Sequence, residues 1–309
     1  MSTPGRAPDA THRANLQARL MLAVLCFVWG VTWPVMRIAL NEMPPLTMRA
    51  LTAALGALTL YLICRVRGHS LRIATAKDWG HVIVASLFNI AGFSLFSAYA
   101  QLAAETSRVT VLAYTMPIWS VFLAWPFLGE KPNRTQSVAL ALCVLGLAVL
   151  IYPLADRGIP LGIVLALATG VSWAIGTVYL KWARIKADAM GVASWQLTVA
   201  FVVLATCMFA AEGPPDLTRM HADGLAAVVW TGVFGNGVAY ALWFTVVRRL
   251  PAVTASIGVL GSPVIGVVFS VLMLREVPTV PDIVGFTLIF SASACVLLGR
   301  APRPVAVKP

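Results

Sequence analysis

The sequence predicts an all-α integral membrane protein of ten transmembrane helices, folded as two inverted five-helix halves (a 5+5 inverted repeat) with both termini cytoplasmic. Three observations predict it. Apolar residues make up 59% of the 309-residue chain and charged residues only 11%. An ordinary soluble domain carries about 25% charged residues, so much of this surface must face lipid. Apolar runs of the length needed to cross a hydrocarbon core recur along the whole chain, and Lys and Arg gather at alternate breaks between them.

Taken in order, Met1 to Arg19 is polar and rich in small residues and reads as a disordered cytoplasmic tail, 1–19. The apolar stretch that follows, Leu20 to Leu40, is longer than a signal-peptide core, contains Trp29, Trp33 and Arg37, and precedes no A-x-A site, so it should be retained as a membrane helix. The ten spans fall at 18–40, 46–66, 79–102, 107–128, 135–153, 159–181, 189–211, 222–248, 252–274 and 281–299. Breaks at Met43-Pro44-Pro45, Gly129-Glu130-Lys131-Pro132, Gly213-Pro214-Pro215 and Arg275-Glu276-Val277-Pro278 separate them, because Pro and Gly end helices. The break from Leu102 to Ser107 is only a hairpin spacer. Residues 300–309 form a second tail.

With the N-terminus inside, the basic residues of the two tails and of the loops after spans 2, 4, 6 and 8 are cytoplasmic. Only Arg37, Arg49, Arg108, Arg157, Arg219 and Arg275, of 23 Lys and Arg, fall on or near the other side. That asymmetry sets the orientation. It also accounts for the net charge of +11 without nucleic acid, since no Lys/Arg run is dense enough to track a phosphate backbone. Cys26, Cys64, Cys143, Cys207 and Cys295 all lie in apolar segments and form no CxxC pair, reading as small apolar residues. His12, His69, His81 and His221 are scattered. Neither a metal site nor a cofactor is expected.

The two halves, 20–153 and 154–299, repeat. Trp29 and Arg37 match Trp173 and Lys181 at an offset of 144, while Pro117, Glu130 and Pro132 match Pro263, Glu276 and Pro278 at an offset of 146. Five helices per half is an odd number, so the second half enters the membrane from the opposite side. Such inverted repeats are common in secondary transporters, with a substrate site near the midplane between the halves.

Helix 1 reads Phe27-Val28-Trp29-Gly30-Val31-Thr32-Trp33-Pro34, and helices 4 and 9 end in the Gly129-Glu130-Lys131-Pro132 and Arg275-Glu276-Val277-Pro278 breaks. In these residues, and over about 20–299, the chain resembles the EamA-type permeases of the drug/metabolite transporter superfamily, and it is most similar in general character to their aromatic amino-acid exporter branch (YddG-like). The resemblance implies a bacterial inner-membrane protein that exports amino acids or other metabolites through a cavity lined mainly by helices 1, 3, 4, 6, 8 and 9.

The candidate site follows from residues that lipid would penalise. Polar and aromatic side chains at mid-membrane depth should face inward. Asn236, Tyr240 and Trp243 share one face of helix 8, and Asn89, Phe93, Phe96 and Tyr99 one face of helix 3. Trp29 and Trp33 of helix 1, Tyr114 and Trp119 beside Pro117, Trp173 of helix 6 and Ser256 of helix 9 complete the substrate-contact set. Pro34, Pro117 and Pro263 are candidate hinges, since a mid-helix proline removes a backbone hydrogen bond and frees the carbonyl four residues back. Trp79, Trp125, Trp182 and Trp195 suit the interfacial belt, and Gly162, Ala166 and Gly170 a close helix contact.

An aromatic pocket suits a flat body with a polar handle. It could equally hold an organic cation, but no Asp or Glu lies mid-helix, as a proton-driven cation exporter would need. The expected activity is therefore facilitated export, by alternating access, of aromatic or bulky neutral amino acids and related metabolites. A permease for another small metabolite or a toxic cation remains open, with a lipid- or sugar-carrier flippase behind it. An intramembrane enzyme is disfavoured by the absence of HExxH, a pair of membrane aspartates or a Ser/His arrangement. The partners expected are a small-molecule substrate and the lipid bilayer; the sequence sets no oligomeric state, and a monomer would suffice.

Overall fold

The computed structural model describes residues 8–153, 160–216, 218, 220–249 and 261–298. Among them the chain is built of helices alone: α1 (Pro8–Glu42), α2 (Pro45–Arg67), α3 (Ala76–Ala103), α4 (Thr106–Leu128), α5 (Arg134–Ile151), α6 (Leu161–Ala183), α7 (Ala189–Ala211), α8 (Ala222–Val229, Trp230–Val238 and Ala239–Arg249), α9 (Gly261–Leu274) and α10 (Val280–Leu298). Eight of these, α1 to α8, are long and apolar enough to cross a membrane, and α9 and α10 contribute two shorter apolar stretches. Helix α1 begins at Pro8, so residues 8–19, expected as a disordered tail, are helical. Their Ala, Leu, Gln and Arg content favours that.

Local chemistry explains the ends. Pro45 opens α2 at a position where its missing N–H costs nothing, and Gly68, at φ 71°, closes it in the left-handed region. Thr75 caps α3 by accepting from the Asp78 N–H, and Asn133 with Gln136 forms a reciprocal capping box on α5. Gly129 ends α4 at φ 71°, and Arg275, which matches it at the 146-residue offset, also has a positive φ, 55°.

Consecutive helices run antiparallel, so the bundle has two ends, named here for Glu276 and Glu130. At the Glu276 end, the N-terminus of α2 meets Glu212 after α7, and the N-terminus of α4 meets Glu276 after α9. Small residues bring backbones together. A Cβ at Gly162 would stand 2.6 Å from the Ala104 side chain, one at Gly170 3.0 Å from the Ala113 carbonyl, and one at Gly176 2.7 Å from Asn89, so α6 lies flush against α3 and α4. Gly146 and Gly285 mesh in the same way to pair α5 with α10, away from the centre of the bundle.

Both α3 and α8 contain a widened turn with i→i+5 geometry, at Leu87–Gly92 and Trp230–Val238. Each holds an asparagine, Asn89 or Asn236, 147 residues apart. Such turns loosen the backbone ladder and recur at functional sites. Here side chains satisfy the loosened carbonyls: Ser172 donates to Phe88 O at 2.8 Å and Trp29 Nε1 to Gly235 O at 3.2 Å.

A central aromatic cavity

A cavity of about 520 Å³ lies between α1, α2, α3, α4, α6 and α8, with Gln136 of α5 at its rim. Eight expected contacts line it: Trp29, Trp33, Asn89, Tyr114, Trp173, Asn236, Tyr240 and Trp243. Two aromatic groups form its wall. Trp29 packs edge-on to Tyr240, ring centroids 6.4 Å apart, and beside Trp243 at 6.0 Å; Trp33 packs against Phe93 at 6.2 Å and Tyr114 at 6.3 Å. Rings so spaced and tilted add attraction beyond the area they bury.

Both asparagines are held. Asn236 Nδ2 donates to Thr52 O of α2 at 3.1 Å, and Asn89 Oδ1 accepts from the Thr177 hydroxyl at 3.3 Å. The cavity extends to Leu128, Glu130, Gln136 and Lys181 at the Glu130 end, where the exposed Lys181 Nζ pairs with Glu130 at 2.6 Å. Toward the Glu276 end it stops at buried Met36, Trp33, Tyr114 and Arg49. Beyond that floor three contacts join elements distant in sequence. The Glu276 carboxylate accepts from Thr106 N at 2.6 Å and Ser107 N at 2.8 Å, Glu212 does the same for Leu46 and Thr47, and Arg108 grips Asp282 with two hydrogen bonds. The cavity is open at the Glu130 end and shut at the other.

Two expected contacts fall elsewhere, and a third is not described. Tyr99 is not a lining residue and stands 38% exposed on α3. The widened turn at Leu87–Gly92 inserts an extra residue, so the α-helical spacing from Asn89 rotates off the cavity face by Tyr99. Trp119 turns its Nε1 back to Thr115 Oγ1 at 3.0 Å, inside the break in α4. Ser256 lies outside the described residues.

Of the hinge candidates, Pro117 lines the cavity just after α4 breaks at Tyr114 and Thr115, and Gly170 of α6 sits over the freed Ala113 carbonyl. Pro34 lies inside α1, whose Gly30 carbonyl faces Gly266 of α9. Pro263 is buried near the start of α9, and the carbonyl it would free, at Val259, is outside the described residues.

Arg49 is the residue that sequence reasoning misplaced. Assigned to the outer rim, it is 5% exposed and lines the cavity floor. The available signal was its position inside the predicted span 46–66, since an intramembrane arginine is costly unless it serves a purpose. It also puts α2 among the lining helices, where the resemblance implied α9; no described residue of α9 lines the cavity. No cluster of His, Cys, Asp or Glu able to hold a metal occurs among the described residues.

The sequence profile of the EamA-like transporter family matches the chain twice, at residues 17–152 and 160–298. The protein belongs to the EamA-like transporter family. Curated relatives of this EamA protein include the "Uncharacterized transporter YoaV" of Bacillus subtilis, 26% identical over 276 residues, covering 88% of this chain and 94% of the relative. The "Uncharacterized transporter YvbV" of the same organism is 28% identical over 274 residues, covering 88% and 89%. The "Probable amino-acid metabolite efflux pump" of Escherichia coli is 22% identical over 289 residues, covering 88% and 92%. A solved crystal structure superposes with a TM-score of 0.62 at 21% identity, covering 90% of this chain and 96% of that one, and so shares the fold. As an EamA member the chain is a multi-pass membrane transporter of the drug/metabolite superfamily, a family of transporters rather than enzymes.

Proposed function

We propose that this EamA transporter moves aromatic or bulky neutral amino acids and related metabolites out of the bacterial cytoplasm across the inner membrane, by facilitated alternating access. The observation that carries the reading is the cavity itself. Its volume lies within the range of about 300–1,000 Å³ typical of small-molecule sites, its walls are aromatic, and two carboxamides provide polar contacts. Among the described residues the only carboxylate lining it, Glu130, is at the rim, tied to Lys181. The printed name of the E. coli relative points to the same class of cargo, and the inner-membrane label of the E. coli transporter YedA, 23% identical, to the same location.

In this reading residues 20–153 and 154–299 are the inverted halves, supported by the double match of the family profile and by the matched widened turns at Asn89 and Asn236. With both termini cytoplasmic, the open Glu130 end faces the cytoplasm, where an exporter loads. The aromatic exporter branch remains the assignment that best fits the Trp29, Trp33 and Tyr240 walls. The cation alternative fits less well, because Arg49 places a positive charge on the cavity floor.

Purified protein in liposomes, tested with radiolabelled amino acids with and without a pH gradient, decides the matter. Saturable flux of phenylalanine, tryptophan or leucine, little changed by the gradient, is expected. Asn236→Ala, which removes the bond to Thr52 O, should lower that flux about tenfold, as for a site polar group worth roughly 1.4 kcal/mol. Absence of flux for every aromatic and branched amino acid refutes the proposal.

A further inference from the structure

Arg49 is anomalous on physical grounds. A guanidinium carries five N–H donors and is always charged, and burying it without a counter-charge is strongly unfavourable. Yet its single hydrogen bond among the described residues is from Nη2 to Ser97 Oγ at 2.6 Å. That hydroxyl spends its own proton on Phe93 O at 2.6 Å, so it serves Arg49 purely as a neutral acceptor. Nε is buried with no partner, and the ion pairs among the described residues do not involve Arg49. A structural arginine in a membrane helix bundle would be expected to have its donors satisfied, as Arg108 is by both oxygens of Asp282. Arg49 instead sits on the floor of the central aromatic cavity with donors to spare.

Its neighbours suit a ligand with both charges. Thr52 follows one turn along α2, and its carbonyl takes the Asn236 Nδ2 proton, which sets the Asn236 carboxamide beside the same stretch of α2. The rings of Trp33, Phe93 and Tyr114 flank the floor.

We propose that Arg49 is the carboxylate anchor of the transported molecule. The cargo then enters with its carboxylate toward the closed Glu276 end and its apolar body among the rings. Planar, paired N–H groups match a carboxylate better than an ammonium does, and charge-assisted bonds of this kind are the stronger ones. The inference rests on the amino-acid reading above and narrows it: a carboxylate is required, an ammonium is tolerated, and a decarboxylated amine or an amide is rejected.

The test is ligand binding to the full-length protein in nanodiscs, followed by quenching of cavity tryptophan fluorescence. The probes are L-phenylalanine, phenylpyruvate, L-phenylalaninamide, phenethylamine and L-leucine. Wild type should bind the two aromatic carboxylates at least tenfold more tightly than the amide and the amine. Arg49→Gln should erase that preference, Arg49→Lys should keep part of it, and Ser97→Ala, which leaves the guanidinium in place, should keep it all. Equal binding of acid and amide by the wild type overturns the inference whether or not any variant folds. So does an Arg49→Gln protein that weakens every probe by the same factor, the mark of a purely structural arginine. If wild type ignores aromatic ligands but binds other carboxylates in an Arg49-dependent way, the aromatic reading falls while the anchor stands.

Discussion

Replacing Glu276 with Gln tests whether the contacts at the shut end of the cavity act as a latch. The Glu276 carboxylate accepts two backbone protons, from Thr106 at 2.6 Å and Ser107 at 2.8 Å, at the buried start of α4. Hydrogen bonds to a charged group contribute about 1.5–3 kcal/mol each, and the negative charge adds about 0.3–1 kcal/mol against the positive end of a helix. Glutamine keeps one acceptor but turns an N–H₂ toward the second N–H, so one bond and the charge are lost. A loss of about 2–3 kcal/mol follows, equivalent to about 30- to 150-fold in the ratio of shut to open forms. The assay uses a cysteine-free background with a single cysteine at Met36, on the cavity floor, and a membrane-impermeant maleimide applied from the Glu276 side. Glu276→Gln should speed labelling by at least tenfold. Glu130→Gln should not, since its pairing with the exposed Lys181 lies at the other end and exposed pairs contribute about 0–1 kcal/mol. If labelling is unchanged in Glu276→Gln while thermal stability falls, Glu276 is a static helix cap and the latch is refuted.

Further outcomes follow from the same geometry. Asp282 is 2% exposed and takes protons from Arg108 Nε and Nη2 and from Thr279; Asp282→Asn leaves a half-buried arginine short of its partner and should destabilise by about 3–5 kcal/mol, read by denaturant titration in detergent. Gly176→Ala puts a methyl 2.7 Å from Asn89 and should cost about 1–3 kcal/mol by overpacking, with a lower melting temperature and weaker substrate binding; an unchanged melting temperature would show that α3 and α6 are not held that closely. The hydrogen bond from the His221 ring to Glu42, then the charge of Glu42, raises the His221 pKa above its ordinary value. A raised folded-state pKa means that the contact stabilises fully below the ordinary histidine range and fades as pH rises through the raised value. The melting-temperature gap between wild type and His221→Ala should therefore shrink from about pH 5.5 to about pH 8.5, and a gap constant with pH would rule out the ionic contact.

The helices were legible because they follow from apolar length and from Pro and Gly punctuation, both local properties. The expected 189–211 and 107–128 meet Ala189–Ala211 and Thr106–Leu128. Much of the candidate site was legible for a related reason: Asn89 and Asn236 are costly in lipid, and the rings of Trp29, Trp33 and Tyr240 sit at mid-span. What escaped is what a regular 3.6-residue period cannot encode. The widened turn in α3 carries Tyr99 off the inward face, and the trans caps join Glu212 and Glu276 to helix starts more than 160 residues away. Arg49 escaped because a lone arginine near the start of a span reads as rim charge; its place inside the predicted span 46–66 was the one hint, and its burial beside Ser97 settles its position.

In the proposed inverted repeat, the two halves match in their candidate hinge prolines and asparagines but not in the charge of Arg49. Pro117 has Pro263, Glu130 has Glu276, and Asn89 has Asn236, so each half brings a proline, an acidic helix end and an asparagine on a widened turn. Arg49 has no such partner: the 146-residue offset leads to Trp195, whose Nε1 bonds the Leu71 carbonyl outside the cavity. With inverted halves and Arg49 as the anchor, both as proposed above, a single asymmetric charge would hold the cargo in one orientation. In the proposed alternating access, a carboxylate on Arg49 would be the part of the cargo nearest to water when the Glu276 end opens, and hydration would compete for it there. Under the proposed orientation that opening faces away from the cytoplasm. On that proposal, the position of Arg49 favours release in the export direction.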